Sequence, residues 1–207
     1  MTGATLKELY ESERTRLLAL CDTDAPAGMY DSPVFGEGPE TPFLVLVGEA
    51  PGAEETKLSR AFVGKAGRQL DELLQVAGIP RDEVYITNAV KYRPVTVSAR
   101  SMRNRTPGRE EIQSSLPLLR EELLLLRPRC IATLGNVPLF AVLSLFGQHK
   151  KVIGDAHGCA LSAAMGEWNT TLFPLYHPAS TIYNRALLPV CFTDAEALGK
   201  LYAVNKR

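Results

Sequence analysis

The chain has 207 residues, 45% of them hydrophobic and 22% charged, which excludes a disordered or low-complexity protein and allows one sizeable core. Lysine plus arginine and aspartate plus glutamate both number 23, so net charge singles out neither nucleic acid nor membrane as a partner. No apolar run is long enough to cross a bilayer.

Leu6, Leu9, Leu17 and Leu20 predict a helix over roughly residues 4–20, whose acidic residues make it no secretion signal, so the chain is read as cytoplasmic. An irregular approach rich in proline and glycine follows, APAGMYDSPVFGEGPETP. Phe43–Val47 is a continuous apolar run, the mark of a buried parallel strand. A helix from about Ala66 carries Leu70, Leu73, Leu74 and Ala77 on one face and stops at Gly78 and Pro80. Val84–Thr87 is a second strand ending in Asn88. From Lys91 to Arg109 lies a stretch with six basic residues and no acid, read equally as a solvated loop or a phosphate-tracking surface. Arg109–Leu126 is helical, with Pro117 as a kink candidate. Cys130–Leu134 is a third strand, followed by a helix with Pro138 in its first turn; Thr171–Tyr176 is a fourth strand. Thr193–Glu196 reads as a capping box opening the last helix.

Strands and helices alternate, so the fold class is α/β: a three-layer α/β/α sandwich around a short, mostly parallel four-stranded sheet. The whole chain, 1–207, is expected to form a single domain, with an N-terminal helix and approach over 1–42, a core over 43–185 and a C-terminal helix over 193–205. Ligands of such sheets sit beyond the carboxyl ends of the strands, where Glu49, Asn88, Gly135 and His177 would meet. Glu49 lies in Gly48-Glu49-Ala50-Pro51-Gly52, which is no nucleotide-binding loop. Gly64-Lys65 is followed by Ala66 with Ser59 at the first glycine position, the Gly-x-Gly-x-x-Gly pattern is missing, and a carboxylate would repel phosphate. The four cysteines, Cys21, Cys130, Cys159 and Cys191, form no C-x-x-C pair, so neither zinc nor a redox motif is signalled.

The stretches GEAPGAEE, AFVGKAGRQLDELL, VYITNAVKYRP, NRTP, RPRCIATLG and YHPAS, in this order over about residues 43–185, resemble the uracil-DNA glycosylase superfamily, most closely its family 4 class. The resemblance implies a monofunctional glycosylase that hydrolyses the N-glycosidic bond of uracil in DNA. It implies Glu49 as the carboxylate near the scissile bond and Phe62 as the ring under the flipped base. Asn88 becomes the amide reading its polar edge, and His177 the donor at uracil O2. Gly48 joins the uracil-binding set. Arg103, Asn104, Arg105, Pro178, Ala179, Ser180 and Tyr183 are the expected DNA-binding residues, and the segment after His177 is expected to enter the minor groove. The implied partner is uracil-containing DNA, with no membrane, nucleotide cofactor or metal, and the chain is expected to be a monomer. Other readings are a glycosylase for hypoxanthine or xanthine, and an inactive DNA-binding paralogue.

Members of that class commonly hold a four-iron cluster on four cysteines. Here the upstream pair is reduced to Cys21, Tyr92 replaces the cysteine of a Lys-Cys-Arg-Pro stretch, and Ser114 and Ser115 stand in the following helix, so the cluster is expected to be absent. Thr56, Ser59 and Ala61 replace the usual Asp, Gly and Pro in the loop before Phe62. The basic stretch is also longer than usual, and it contains no histidine of the kind that a distant class uses to capture the sugar covalently.

Overall fold

The computed structural model describes residues 5–21, 29–30, 32–98 and 100–205. Four strands run parallel: β1 (Leu44–Gly48), β2 (Val84–Asn88), β5 (Cys130–Leu134) and β7 (Trp168–Leu175), in the order β2-β1-β5-β7. Their residues alternate between two helical layers. Leu44, Leu46, Ile86, Ala132 and Phe173 pack with Leu70 and Leu74 of α3 (Lys65–Ala77) and Leu198 of α8 (Leu188–Asn205). On the other face, Val45, Val47, Ile131 and Leu172 pack with Leu17 of α1 (Leu6–Cys21), Leu119 and Leu123 of α4 (Arg109–Leu126), and Leu139 of α5 (Asn136–Leu145). A sheet covered on both faces needs apolar residues at nearly every position, which explains the unbroken apolar run at β1 and the run at β5 that only Thr133 interrupts.

The sheet has five strands where four were expected. The fifth, β6 (Leu161–Met165), pairs antiparallel with β7 at the sheet edge through a tight turn at Gly166, where φ is +61°. Its sequence, LSAAM, is short of β-branched residues and half-exposed, so it carries no strand periodicity. The same pairing starts β7 at Trp168 rather than Thr171. The basic stretch is not a simple loop either. It holds an antiparallel hairpin, β3 (Val95–Ser98) and β4 (Ser101–Asn104). A short helix, α2 (Ala53–Leu58), precedes Phe62. The last helix opens at Leu188, five residues before the expected capping box. Pro189 suits its first turn, and the Thr193 hydroxyl donates back to the Pro189 carbonyl (3.0 Å) as an interior residue.

Candidate active site

Because β1, β2, β5 and β7 are parallel, their carboxyl ends share one edge. Gly48 and Asn88 are register partners there, as are Leu134 and Leu175, so Asn88, Glu49, Gly135 and the Tyr176-His177 step follow one another along the rim. At that edge opens a cleft of about 530 Å³ lined by Phe62, Asn88, Asn104, His177, Ala179 and Tyr183, among others. That is room for a base and its sugar. A second concavity, about 460 Å³, sits at the other end of β5 and includes none of these residues.

Gly48 is fixed by its neighbours rather than by a turn. A Cβ on it would stand 2.3 Å from Asn88 Oδ1 and 2.5 Å from Phe62 Cε2, so only glycine lets ring and amide converge. Phe62 itself takes φ +53°, a left-handed conformation costing a non-glycine residue about 1–2 kcal/mol. Its surroundings hold it there. Arg81 donates to the Phe62 carbonyl (3.0 Å) and the Ala61 carbonyl (3.3 Å) while pairing with Asp71 at 2.5 Å, and Gly67 of α3 lets the Phe62 carbonyl approach closely. Glu55 clamps the loop from the other side, accepting from the N–H of Gly52 (3.1 Å) and of Gly64 (2.8 Å). The Phe62 ring lies 6.2 Å from the His177 ring, tilted by 32°.

His177 has a defined tautomer. The Ala179 N–H donates to Nδ1 (3.1 Å), so the neutral ring carries its proton on Nε2. Burial lowers its pKa below the ordinary histidine value, which favours that neutral form. Glu49 is half-buried at the end of β1 and outside the cleft lining, next to Ala50, which does line it. Burial raises its carboxyl above the usual glutamate range, and a hydrogen bond with the Thr106 side chain opposes the rise. Thr106 belongs to the NRTP stretch, and sequence reasoning gave it no part in the site.

Asn88 is 2% exposed, and a charged network lies directly behind it. Lys91, 1% exposed, donates from Nζ to the Asn88 carbonyl (2.8 Å), to Thr87 Oγ1 (2.5 Å) and to Glu122 Oε2 (2.5 Å). Thr87 in turn donates to both Glu122 oxygens, at 3.0 and 3.2 Å. Tyr10 of α1 closes the network by bonding Glu122 and Tyr85. Sequence reasoning had placed Lys91 in the basic surface; the structure buries it under β2. Arg105 is exposed, but its guanidinium is taken up by the protein itself, with both ends on Glu111 (2.5 and 2.9 Å) and Nε on the Val95 carbonyl (3.1 Å). Arg103 is exposed, and Asn104 reaches the cleft. Pro178 is buried, Ser180 begins α7 (Ser180–Tyr183), and Tyr183 is 89% exposed. His157, which no motif marks, pairs with Asp194 (2.8 Å) and packs on Tyr176, tying α8 to the strand that leads to His177.

A parallel α/β sheet with a carboxylate, an amide, an imidazole and an aromatic ring gathered at its carboxyl edge defines a site built for a flat, polar-edged base. The profile of the Uracil DNA glycosylase superfamily matches residues 35–198, and the chain belongs to that superfamily. A type-4 uracil-DNA glycosylase of Pyrobaculum aerophilum is 37% identical over 88% of this chain and 87% of its own length. A type-4 enzyme of Thermotoga maritima is 36% identical over 88% of each chain. A type-5 uracil-DNA glycosylase of Pyrobaculum aerophilum is 31% identical over 91% of this chain and 86% of its own length.

The residues standing where the family resemblance implies iron-binding cysteines do not fit an iron–sulfur cluster. Tyr92 is buried beside Ser114 and Ser115, whose hydroxyls donate to the Glu111 carbonyl (3.0 and 2.8 Å), and Tyr30 meets its ring edge-on at 4.6 Å. Phenol and hydroxyl groups replace the soft thiolates that such clusters require. Burial raises the Tyr92 pKa further, which keeps the phenol neutral.

Proposed function

We propose that the protein hydrolyses the N-glycosidic bond of uracil in DNA, leaving an abasic site. The single observation that carries this reading is the His177 tautomer beside Phe62 and Asn88, a fixed neutral donor at the rim of a base-sized cleft. The flipped base stacks on Phe62, and that contact returns about 1–3 kcal/mol of the cost of leaving the duplex. The Asn88 amide accepts from N3–H and donates to O4, a pattern that cytosine does not present. As the C1′–N1 bond breaks, its electron pair leaves with uracil, and His177 Nε2–H donates to O2 where the charge accumulates. Ionised Glu49 favours the cationic sugar and orients the water whose oxygen adds to C1′; the water's proton passes to the carboxylate or to solvent. Gly48 admits the base by lacking a side chain. Arg103 and Asn104, with Ala179, Ser180 and Tyr183 across the cleft, contact the DNA; buried Pro178, expected from the sequence to touch DNA, instead supports that segment from beneath, and Arg105 serves as the strut that holds Arg103 and Asn104 in place.

Neither a metal nor an iron–sulfur cluster takes part in these steps. The test is incubation of the purified protein with labelled oligonucleotides containing uracil, hypoxanthine or xanthine, followed by cleavage at abasic sites. Uracil-specific strand breaks are expected. Breaks confined to hypoxanthine or xanthine would reassign the base, and none at all would overturn the enzymatic reading.

A further inference from the structure

The β3–β4 hairpin is built unlike the rest of the molecule. Only its root residue, Val95, is buried; every other described residue of the two strands is exposed. Its cross-strand pairs are Val95 with Asn104, Thr96 with Arg103, Val97 with Met102 and Ser98 with Ser101. Side chains of a strand alternate between faces, so Val95, Val97, Met102 and Asn104 share one face and Thr96, Ser98, Ser101 and Arg103 the other. The first face is the one that turns to the cleft, because Asn104 at its root lines it. Arg93 lies along that face too, with Nε donating to Asn104 Oδ1 (2.7 Å) and a guanidinium nitrogen 3.7 Å from the Met102 sulfur.

The apolar pair on this face is unprotected: Val97 is 52% exposed and Met102 39%. Arg100 in the turn and Arg103 on the opposite face put positive charge on either side of it, and the stretch from Lys91 to Arg109 has no acidic residue. Exposed apolar groups within a basic ribbon fit one kind of surface well, a base stack bounded by phosphates. The root of the ribbon is rigid. The Arg105 N–H donates to the Pro94 carbonyl (3.1 Å) and its guanidinium links the Val95 carbonyl to Glu111, so the root of the hairpin is tied to the body of the protein beside the cleft. Across the mouth, Ile182 and Tyr183 present a second exposed apolar pair, 45% and 89% exposed.

We infer that the hairpin is a DNA-gripping arm whose Val97–Met102 pair packs against the base stack opened by extrusion of the target nucleotide, while Arg100 and Arg103 hold the flanking phosphates. This rests on the reading that the cleft takes a nucleotide from DNA. The arm acts with Ile182 and Tyr183 as the second jaw, and its work is needed only where there is a duplex to hold open. It therefore sets preference for duplex over single-stranded substrate.

Two measurements test this. The first uses an oligonucleotide duplex with 2-aminopurine beside a tetrahydrofuran abasic site, whose fluorescence reports unstacking and needs no excision. Wild-type protein should change the signal, and V97S/M102S should lose most of that change at saturating protein. The second is single-turnover uracil release from matched duplex and single-stranded oligonucleotides. V97S/M102S should lower the duplex-to-single-strand rate ratio by about tenfold or more, the effect of losing an apolar wedge that offsets the cost of unstacking a base step. R100A/R103A should instead weaken binding to both and reduce the slope of log affinity against log salt by about 2. An unchanged fluorescence response or an unchanged ratio in V97S/M102S overturns the arm. If wild-type protein itself releases no uracil from either substrate, the function proposed above fails while the fluorescence test still decides the arm.

Discussion

Glu49 illustrates the cost of a functional residue. Burial raises its carboxyl above the unfolded value, so ionised Glu49 adds nothing to stability at neutral pH and subtracts from it. That penalty is absent below the unfolded pKa and complete once pH has risen through the folded one. Glu49→Gln should therefore melt at a higher temperature than wild type at pH 7.5 while excising uracil far more slowly. In the proposed mechanism Glu49 acts as the anion, so the wild-type rate should fall on acidification with a midpoint above the usual glutamate value. Thr106→Val removes the hydrogen bond that opposes the rise and should move the midpoint of the pH–rate profile upward; a profile identical to wild type would detach Thr106 from the carboxylate. Ser59 makes a different point. It stands where the family resemblance implies glycine and takes φ +51° as the C-cap of α2. Ser59→Gly should stabilise the protein by up to about 1 kcal/mol, the left-handed penalty less the entropy of glycine, as read from denaturant unfolding. The sequence displayed Glu49, Asn88 and His177 through their strand-end positions. It hid Thr106 and the Ala179 amide, because a hydroxyl or backbone partner leaves no pattern at the level of residue types.

At the scale of elements, the Lys91–Glu122 pair joins β2, α4 and, through Tyr10, α1. Both side chains are essentially excluded from water, so removing one leaves the other charge uncompensated. Lys91→Met should cost about 3–5 kcal/mol in chemical denaturation, and the double variant Lys91→Met/Glu122→Leu should recover much of it. A loss of under 1 kcal/mol in the single variant would mean that the pair carries little. Nothing in the sequence distinguished Lys91 from its basic neighbours, since burial of a lysine depends on a partner 31 positions away along the chain. Elements with strong periodicity, such as α3 and α4, were legible to within a residue or so. Those that depend on pairing were not. β6 exists because β7 offers an edge, and the β3–β4 hairpin because Arg105 and Glu111 anchor its root. The hairpin shows how exposed polar residues read as loop even when they pair.

The whole molecule was legible where chain order determines geometry. Alternating strands and helices imply a parallel sheet, and a parallel sheet gathers the strand ends on one edge. Tyr92, Ser114 and Ser115 stand where the family resemblance implies iron-binding cysteines. Around Tyr92, the Tyr30 ring and the Ser114 and Ser115 hydroxyls fill the space between the root of the hairpin and α4. Purified protein should accordingly be colourless and free of stoichiometric iron by metal analysis, whereas a brown preparation bleached by reductant would restore the cluster. The central claim is that His177 acts on the leaving group and Asn88 on the choice of base. The most direct measurement is single-turnover uracil release by His177→Ala, alongside its affinity for uracil-containing DNA and after its fold has been checked by circular dichroism and melting. A donor whose bond strengthens only as O2 gains charge should cost about 100-fold or more in rate and little in affinity. Release at the wild-type rate would contradict the proposed chemistry.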